Sequence, residues 1–138
     1  MGCGDAFLLN SIREKWPEVK ITGLDYKISN INKELSRNNK KINFIEGEVN
    51  EELKKLGKES FDIIFCTHLL EHISEPKKLI LEMRERVKRR LILICPLEKE
   101  LMWGMNYHIN FYPNSNAFLD GLDLKKNILN KYHLHKRL

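Results

Sequence analysis

Two segments near the start of the chain carry residue types that could bind a nucleotide-like ligand. In the first, Gly2 and Gly4 flank Cys3 ahead of a predicted helix, and glycines there let a ligand approach the backbone without a Cβ in the way. In the second, Asp25 follows about 20 residues on, where a carboxylate can accept hydrogen bonds from both ribose hydroxyls of an adenosine cofactor. A plain tight turn and a helix N-cap are the structural alternatives for these segments.

Two later segments add further polar groups. Glu48 and Val49 follow an apolar stretch, and an acid at that point could accept a hydrogen bond from an adenine amino group, a surface glutamate in a turn being the alternative. Residues 66–76 follow the most apolar stretch and include His72, while His108 lies in a later aromatic-rich segment. Because imidazole titrates near neutral pH, both histidines are candidate bases, although either could serve only to brace a loop.

Alternating helical and strand patterns would position these segments. Apolar periodicity predicts helices over 7–16, 29–37 and 51–56. A fourth helix is predicted from residue 74 onward, with an apolar stripe formed by Leu79, Met83 and Val87. Strands are predicted over 20–25, 42–46, 61–67 and 90–95. The run over 61–67 is typical of a strand covered on both faces. This order predicts an α/β fold, Rossmann-like, with a mostly parallel sheet and helices on both faces.

The length favours one domain over residues 1–138. Residues 1–96 would form a cofactor-binding core, and residues 97–138 a substrate-side loop and tail. Trp103, Tyr107 and Tyr112 lie in a long loop over 98–116, where they could cover a bound substrate or serve only to pack a lid. A short helix would follow over 116–119, and another strand is expected around 128–134.

Charge, apolar content and cysteine number indicate which partners and which compartment to expect. The chain carries a net charge of +5, which permits an RNA partner, but its basic residues are spread along the whole sequence. No run approaches the ~20 apolar residues of a membrane helix, and no signal peptide is recognisable, so we expect a cytoplasmic protein without a membrane partner. Three distant cysteines predict reduced thiols.

The ordered motifs resemble class I S-adenosylmethionine-dependent methyltransferases, in particular the small-molecule group called methyltransferase type 11. The matching segments are GCGDA at 2–6, LD at 24–25, GE at 47–48, FDIIFCTHLLEHISEP at 61–76 and HINFY at 108–112. Each motif alone is common, whereas the set in this order and spacing is specific.

The resemblance implies S-adenosylmethionine as cofactor and an unidentified small-molecule methyl acceptor. It assigns cofactor contacts to Gly2, Cys3 and Gly4 (methionine moiety), Asp25 (ribose), Tyr26, Glu48 and Val49 (adenine), and Thr67 and His68 (near the sulfonium). If the acceptor must lose a proton, His72 and His108 are the expected catalytic bases. No metal site is expected, because Cys66, His68 and His72 lack a second ligand cluster at tetrahedral spacing.

The family that the chain resembles has a first strand ahead of its glycine loop and a final pair of antiparallel strands. The sequence shows no strand pattern ahead of Gly2, and its tail is short for the complete pair. We therefore expect the first strand to be absent, the C-terminal strands to be incomplete and the cofactor pocket to be loosened. The alternatives are an RNA methyltransferase of the same fold, a non-catalytic methyltransferase-like binding subunit, and an NAD-dependent oxidoreductase. Phe7 disfavours the last, since it stands where the dinucleotide fingerprint has its third glycine. The oligomeric state is open.

Overall fold

The computed structural model describes residues 1–29, 32–33, 42–100 and 107–124. The chain divides into two compact units, Met1–Lys55 and Leu56–Leu138. Each unit contains helices and a small sheet of two parallel strands. The predicted α/β class is thereby confirmed. Among the described residues, no helix has both the length and the apolar character needed to cross a membrane.

The first unit is built on strands β1 and β2. Its elements are α1 (Phe7–Lys15), β1 (Ile21–Asp25), β2 (Ile42–Glu46) and α2 (Val49–Lys55). The strands pair in parallel from Ile21 beside Ile42 to Asp25 beside Glu46, so their carboxyl ends lie side by side. The helix predicted over 29–37 lies outside the described residues except for a few positions, among which the N–H of Lys33 donates to the carbonyl of Ser29 at 3.0 Å.

Gly23 allows close packing around β1. A Cβ built on this glycine would lie 2.8 Å from Cδ1 of Leu9 on α1 and 2.8 Å from the ring of Phe44 on β2. Real Cβ atoms do not tolerate such approaches, because packed interiors leave no room for an added methyl group. Because Gly23 has no side chain, α1 can pack directly against β1, the strand that ends at Asp25.

The second unit is built on strands β3 and β4. Its elements are β3 (Phe61–Thr67), a 3₁₀ turn (Leu70–His72), α3 (Pro76–Arg86), β4 (Val87–Ile94) and α4 (Ser115–Gly121). β3 and β4 pair in parallel, with Ile64 beside Leu91 and Thr67 beside Ile94. One face of this sheet is buried through Ile64, Cys66, Leu91 and Leu93. On the opposite face Ile63 is 45% exposed, so that face is more open than the apolar run predicts.

The prediction that Val87 continues the apolar stripe of α3 is wrong. The helix ends at Arg86, and Val87 is already extended, with φ −101° and ψ 131°, as the first residue of β4. Helical spacing from Met83 and strand alternation both call for an apolar residue at this position, so the pattern alone could not separate them. A β-branched side chain favours the strand, and no loop intervenes between the two elements.

Asn114 caps α4, and its loss should weaken this helix. Its Oδ1 accepts a hydrogen bond at 2.9 Å from the N–H of Ala117. We expect Asn114→Ala to lower the free energy of unfolding by about 1 kcal/mol, because that N–H loses its partner. Urea denaturation would measure the change. Asn116→Ala, an exposed position of the same helix, should change stability by less than about 0.5 kcal/mol, and equal effects of the two variants would refute the capping role.

Candidate functional site

The glycine-rich start forms a tight loop at the carboxyl end of β1. The N–H groups of Gly2 and Cys3 both donate to the carbonyl of Leu24, at 3.0 and 3.2 Å. Gly2 and Gly4 have positive φ values of 66° and 46°, and a Cβ on Gly4 would meet no atom of the described residues within 4 Å. The backbone at Gly4 therefore borders open space in a conformation that favours glycine.

Asp25 ties this loop to the strand ends. Its Oδ2 accepts a hydrogen bond from the N–H of Gly4 at 2.8 Å, and its carbonyl accepts from the N–H of Gly47 at 3.0 Å. The glycine loop, Asp25 and the turn that carries Glu48 thus meet at the carboxyl ends of β1 and β2. Open α/β sheets bind their ligands at such ends. Three of the segments singled out in the sequence are therefore brought together here.

Asn32 is a contributor that the sequence did not reveal. Its side chain is fully buried, and its Nδ2 donates to the carbonyl of Gly4 at 2.6 Å. Its Oδ1 is buried without a hydrogen-bond partner within the described part of the chain. Gly4 is thus held at its N–H by Asp25 and at its carbonyl by Asn32. Spacing gives no sign of this contact, because an asparagine in a predicted helix is usually a surface residue.

The residues assigned to adenine occupy three different environments. Glu48 caps α2, since its carboxylate accepts hydrogen bonds from the N–H of Glu51 and from Nδ2 of Asn50, both at 3.0 Å. Val49 is buried, whereas Tyr26 is 79% exposed directly after Asp25. An exposed ring can stack on a planar base, so Tyr26 is the best placed of the three. The adenine contacts of all three residues stay predictions.

Thr67 and His68 end β3 in the second unit. Thr67 is half-buried, and the N–H of His68 donates to the carbonyl of Ile94 at 2.9 Å. His68 has a φ of 49°, which is uncommon for a residue other than glycine and turns the chain sharply at the strand end. Its side chain is 66% exposed, with Nδ1 3.5 Å from Oε1 of Glu71. The cofactor contacts predicted for Thr67 and His68 remain predictions.

A buried carboxylate follows this turn. Glu71 is only 1% exposed, and its Oε2 accepts a hydrogen bond from the thiol of Cys95 at 3.4 Å. Burial, followed by the nearby Glu71 carboxylate, raises the pKa of the Cys95 thiol. Burying a carboxylate is costly unless opposite charge or several hydrogen bonds compensate it. The sequence placed Glu71 within a family motif but gave it no role of its own.

The two histidines predicted as bases lie against each other. The rings of His72 and His108 meet edge to face, with centroids 4.7 Å apart. Nδ1 of His108 is hydrogen-bonded to the carboxylate of Glu98, and Nδ1 of His72 lies 3.3 Å from the carbonyl of Tyr107. The ligand atoms of Glu71, His72 and His108 all lie within 4.8 Å of one another. The fold therefore joins the 66–76 motif to the HINFY motif.

Asn110 holds the HINFY segment in this position. Its Nδ2 donates to the carbonyls of Leu70 and Ile73, at 2.9 and 2.6 Å. The N–H groups of Ile109 and Asn110 also donate to the carbonyl of Glu71, at 2.8 and 3.1 Å. These four bonds fasten the segment beside His108 to the 3₁₀ turn. Asn110 is part of the HINFY motif, but the sequence does not indicate which groups its side-chain amide contacts.

The aromatic residues expected to cover the substrate do not share one environment. Trp103 lies outside the described residues, and Tyr107 is 78% exposed. Tyr112 is 5% exposed and packs edge to face on Phe118, with ring centroids 5.0 Å apart. Burial raises the pKa of Tyr112 to about 12. Tyr112 therefore packs inside its unit, which agrees with the alternative that it serves only to pack this loop, and the substrate contacts of these residues stay predictions.

Cys66 should be chemically inert in the folded chain. It is fully buried on β3, and burial raises the pKa of its thiol from 9.0 to about 12. The protonated thiol therefore contributes stability that is present below pH 9 and is lost as the pH rises through about 12. At pH 8 we expect iodoacetamide to modify Cys66 at least about tenfold more slowly than in the urea-unfolded chain, because only an accessible thiolate reacts. Peptide mass spectrometry would measure both rates, and equal rates would contradict the burial.

Comparison with known proteins places the chain in a family. A family model described as a methyltransferase domain matches residues 1–90, which include the glycine loop, Asp25, the turn after β2 and the 66–76 motif. A search of curated proteins found no match. The match covers more than half of the chain and includes four of the five motifs that carry the resemblance, whereas HINFY at 108–112 lies beyond it. The chain therefore belongs to the methyltransferase domain family of class I S-adenosylmethionine-dependent enzymes.

Proposed function

We propose that the chain binds S-adenosylmethionine through its first unit and transfers the methyl group to a small-molecule acceptor. The observation that carries this proposal is the arrangement of Gly4 and Asp25. Gly4 borders open space, and Asp25 binds the N–H of Gly4 at 2.8 Å at the end of β1. Membership of the methyltransferase family supports the same cofactor.

The residues of the first unit fit this cofactor. The open backbone at Gly4 suits the close approach of the methionine moiety, and the Asp25 carboxylate suits the ribose hydroxyls. The exposed ring of Tyr26 would cover the adenine. Burial and then Asp25 raise the pKa of the Cys3 thiol to about 11. A protonated Cys3 is a poor nucleophile, so it would not capture the methyl group itself.

Methyl transfer requires mainly that the acceptor be held in line with the reactive methyl group. S-adenosylmethionine supplies a methyl group already activated on a sulfonium, which an acceptor displaces in line. The protein orients the acceptor, excludes water and, where needed, removes a proton. We assign proton removal to His72 or His108. The Glu98 carboxylate on Nδ1 of His108 would orient that ring, as a carboxylate does for a catalytic imidazole elsewhere.

Transfer of a labelled methyl group tests this proposal. The chain would be incubated with S-adenosylmethionine labelled in the methyl group and with panels of phenols, amines, thiols and carboxylic acids. We expect label in one chemical class, with a lower maximal rate and unchanged cofactor affinity in His72→Ala. Absence of transfer to every class would overturn the small-molecule proposal. Cofactor binding without any transfer would instead favour a non-catalytic binding subunit.

RNA is the second candidate acceptor, and one surface feature favours it. Lys88, Arg89 and Arg90 are consecutive and exposed at the start of β4, and the chain carries a net charge of +5. An RNA substrate would bind with an affinity that falls steeply with salt, because phosphate contacts release counterions. Label recovered in RNA, together with a reduced salt slope in a variant with all three basic residues changed to glutamine, would support this candidate over the first.

A further inference from the structure

We propose that Glu71, His72 and His108 form a binding site for a divalent transition-metal ion. Their ligand atoms lie within 4.8 Å of one another, close enough to share one ion. No metal was expected from the sequence, because only Cys66, His68 and His72 were considered together there. The fold brings together a different set of possible ligands, in which His72 is accompanied by His108 from a distant segment and by Glu71 instead of a cysteine.

The hydrogen bonds on the two imidazoles suit metal binding. Nδ1 of His108 is bonded to the Glu98 carboxylate, and Nδ1 of His72 lies 3.3 Å from the carbonyl of Tyr107. An oxygen on Nδ1 suits the tautomer whose ring proton lies there, and in that neutral tautomer Nε2 is the atom that can bind a metal. Metal-binding histidines nearly always have such a partner on their second nitrogen. Here both rings have one.

The charge balance points the same way. The carboxylate of Glu71 is 1% exposed, and its ionic partner among the described residues is His68, at 3.5 Å. Its carboxylate also accepts a hydrogen bond at 3.4 Å from the thiol of Cys95, which is a weak donor. A buried carboxylate is stabilised far more by a cation at close range. A divalent ion between Glu71 and the two imidazoles would supply that charge.

The ligand types and the exposure define the kind of site. Two imidazoles and one carboxylate match the ligand set of catalytic zinc sites and suit other first-row transition metals, whereas magnesium and calcium prefer oxygen ligands. His72 is exposed and His108 half-buried, while Glu71 is buried. An ion held by these three residues would therefore be open to solvent on one side. Three protein ligands leave a coordination position for water or for an oxygen of a ligand.

A metal here would also deepen the proposed function, although its binding does not depend on methyl transfer. A coordinated hydroxyl loses its proton more readily than a free one, since the ion stabilises the oxyanion. The proton of that hydroxyl would then pass to solvent water, because His72 and His108 would be occupied as ligands. This second step rests on the proposed methyltransferase activity and would restrict the acceptor to molecules with a coordinating oxygen.

Titration of the untagged full chain with Co²⁺, without any cofactor, tests the site directly. We expect saturable visible d–d absorption at one ion per chain, without a thiolate charge-transfer band, and displacement of Co²⁺ by Zn²⁺. Glu71→Gln, His72→Gln and His108→Gln should each weaken binding by about 100-fold or more, and Glu98→Gln by about tenfold. Glu75→Gln, at an exposed carboxylate that pairs with Lys78, is the matched control and should retain the wild-type affinity. Circular dichroism would establish that each variant is folded.

Three results would overturn the proposal. One is a folded wild-type chain that shows no Co²⁺ absorption. Another is a strong thiolate band, which would place Cys95 among the ligands. The third is an equal loss of affinity in Glu75→Gln and His72→Gln, which would show that the assigned ligands are wrong. Because the titration contains no S-adenosylmethionine, its failure leaves the cofactor proposal untouched, and failure of cofactor binding leaves the metal site untouched.

Discussion

The Asp25→Asn variant is expected to bind S-adenosylmethionine at least about 100-fold more weakly than the wild-type chain. The substitution retains an oxygen that can accept the N–H of Gly4, now bonded at 2.8 Å, so the glycine loop should keep its shape. It removes the charge that would accept the ribose hydroxyls. Hydrogen bonds to a charged group contribute about 1.5–3 kcal/mol each, and the loss of two corresponds to about 100-fold or more. Calorimetric titration measures the change.

Asp62→Asn is the matched control for this variant. Asp62 is an exposed residue of β3, so the same loss of one charge there should leave cofactor affinity unchanged. If both variants lost affinity equally, the effect would come from net charge rather than from the ribose contact. If Asp25→Asn bound as tightly as wild type, the ribose assignment would be wrong.

The Asn110→Ala variant is expected to lower the free energy of unfolding by about 2–4 kcal/mol. The amide of Asn110 donates to the carbonyls of Leu70 and Ile73, at 2.9 and 2.6 Å. Alanine would leave the carbonyl of Ile73 without this donor, and the carbonyl of Leu70 would keep only the longer bond from the N–H of Ile73 at 3.4 Å. A group left unsatisfied costs about 1–3 kcal/mol where water cannot reach it, and a lost hydrogen bond about 0.5–1.5 kcal/mol. Urea denaturation at several wavelengths would measure the loss.

The position of the HINFY segment provides a second readout of the same variant. The N–H groups of Ile109 and Asn110 donate to the carbonyl of Glu71, and they should exchange with solvent faster once the side-chain bonds are gone. Asn116→Ala, exposed on α4, removes the same amide without those partners and should change neither stability nor exchange. A change below about 0.5 kcal/mol in Asn110→Ala would mean that the segment is held by other contacts.

The fold was largely predictable because apolar periodicity dominates it. Residues 42–46 and 61–67 were expected as strands and form β2 and β3 with those bounds. Val87 was misplaced, since an apolar residue at that position satisfies both a helical stripe and a strand. Helix α2 also begins at Val49, two residues before the predicted start, because Glu48 caps it at Glu51. Such boundaries depend on side-chain capping, which periodicity does not register.

The candidate site was predictable where a motif names its own functional residue. Gly4 and Asp25, from two separate segments, were both expected to contact the cofactor, and a hydrogen bond of 2.8 Å joins them. Contacts made across the fold were not predictable from spacing. Asn32 on the carbonyl of Gly4 and Asn110 on the 3₁₀ turn depend on how the chain returns to itself. Glu71 is a further example, because it lies beside two imidazoles only in the folded chain, where the distant His108 packs next to it.

Calorimetric titration of the full chain with S-adenosylmethionine tests the central claim most directly. S-adenosylhomocysteine would serve as the product ligand, and NAD as an adenosine-containing control. The account predicts saturable binding of S-adenosylmethionine and S-adenosylhomocysteine at one site per chain, with no heat from NAD. A chain that is folded by circular dichroism but binds neither sulfur-containing ligand, or that binds NAD more tightly than either, would contradict the account.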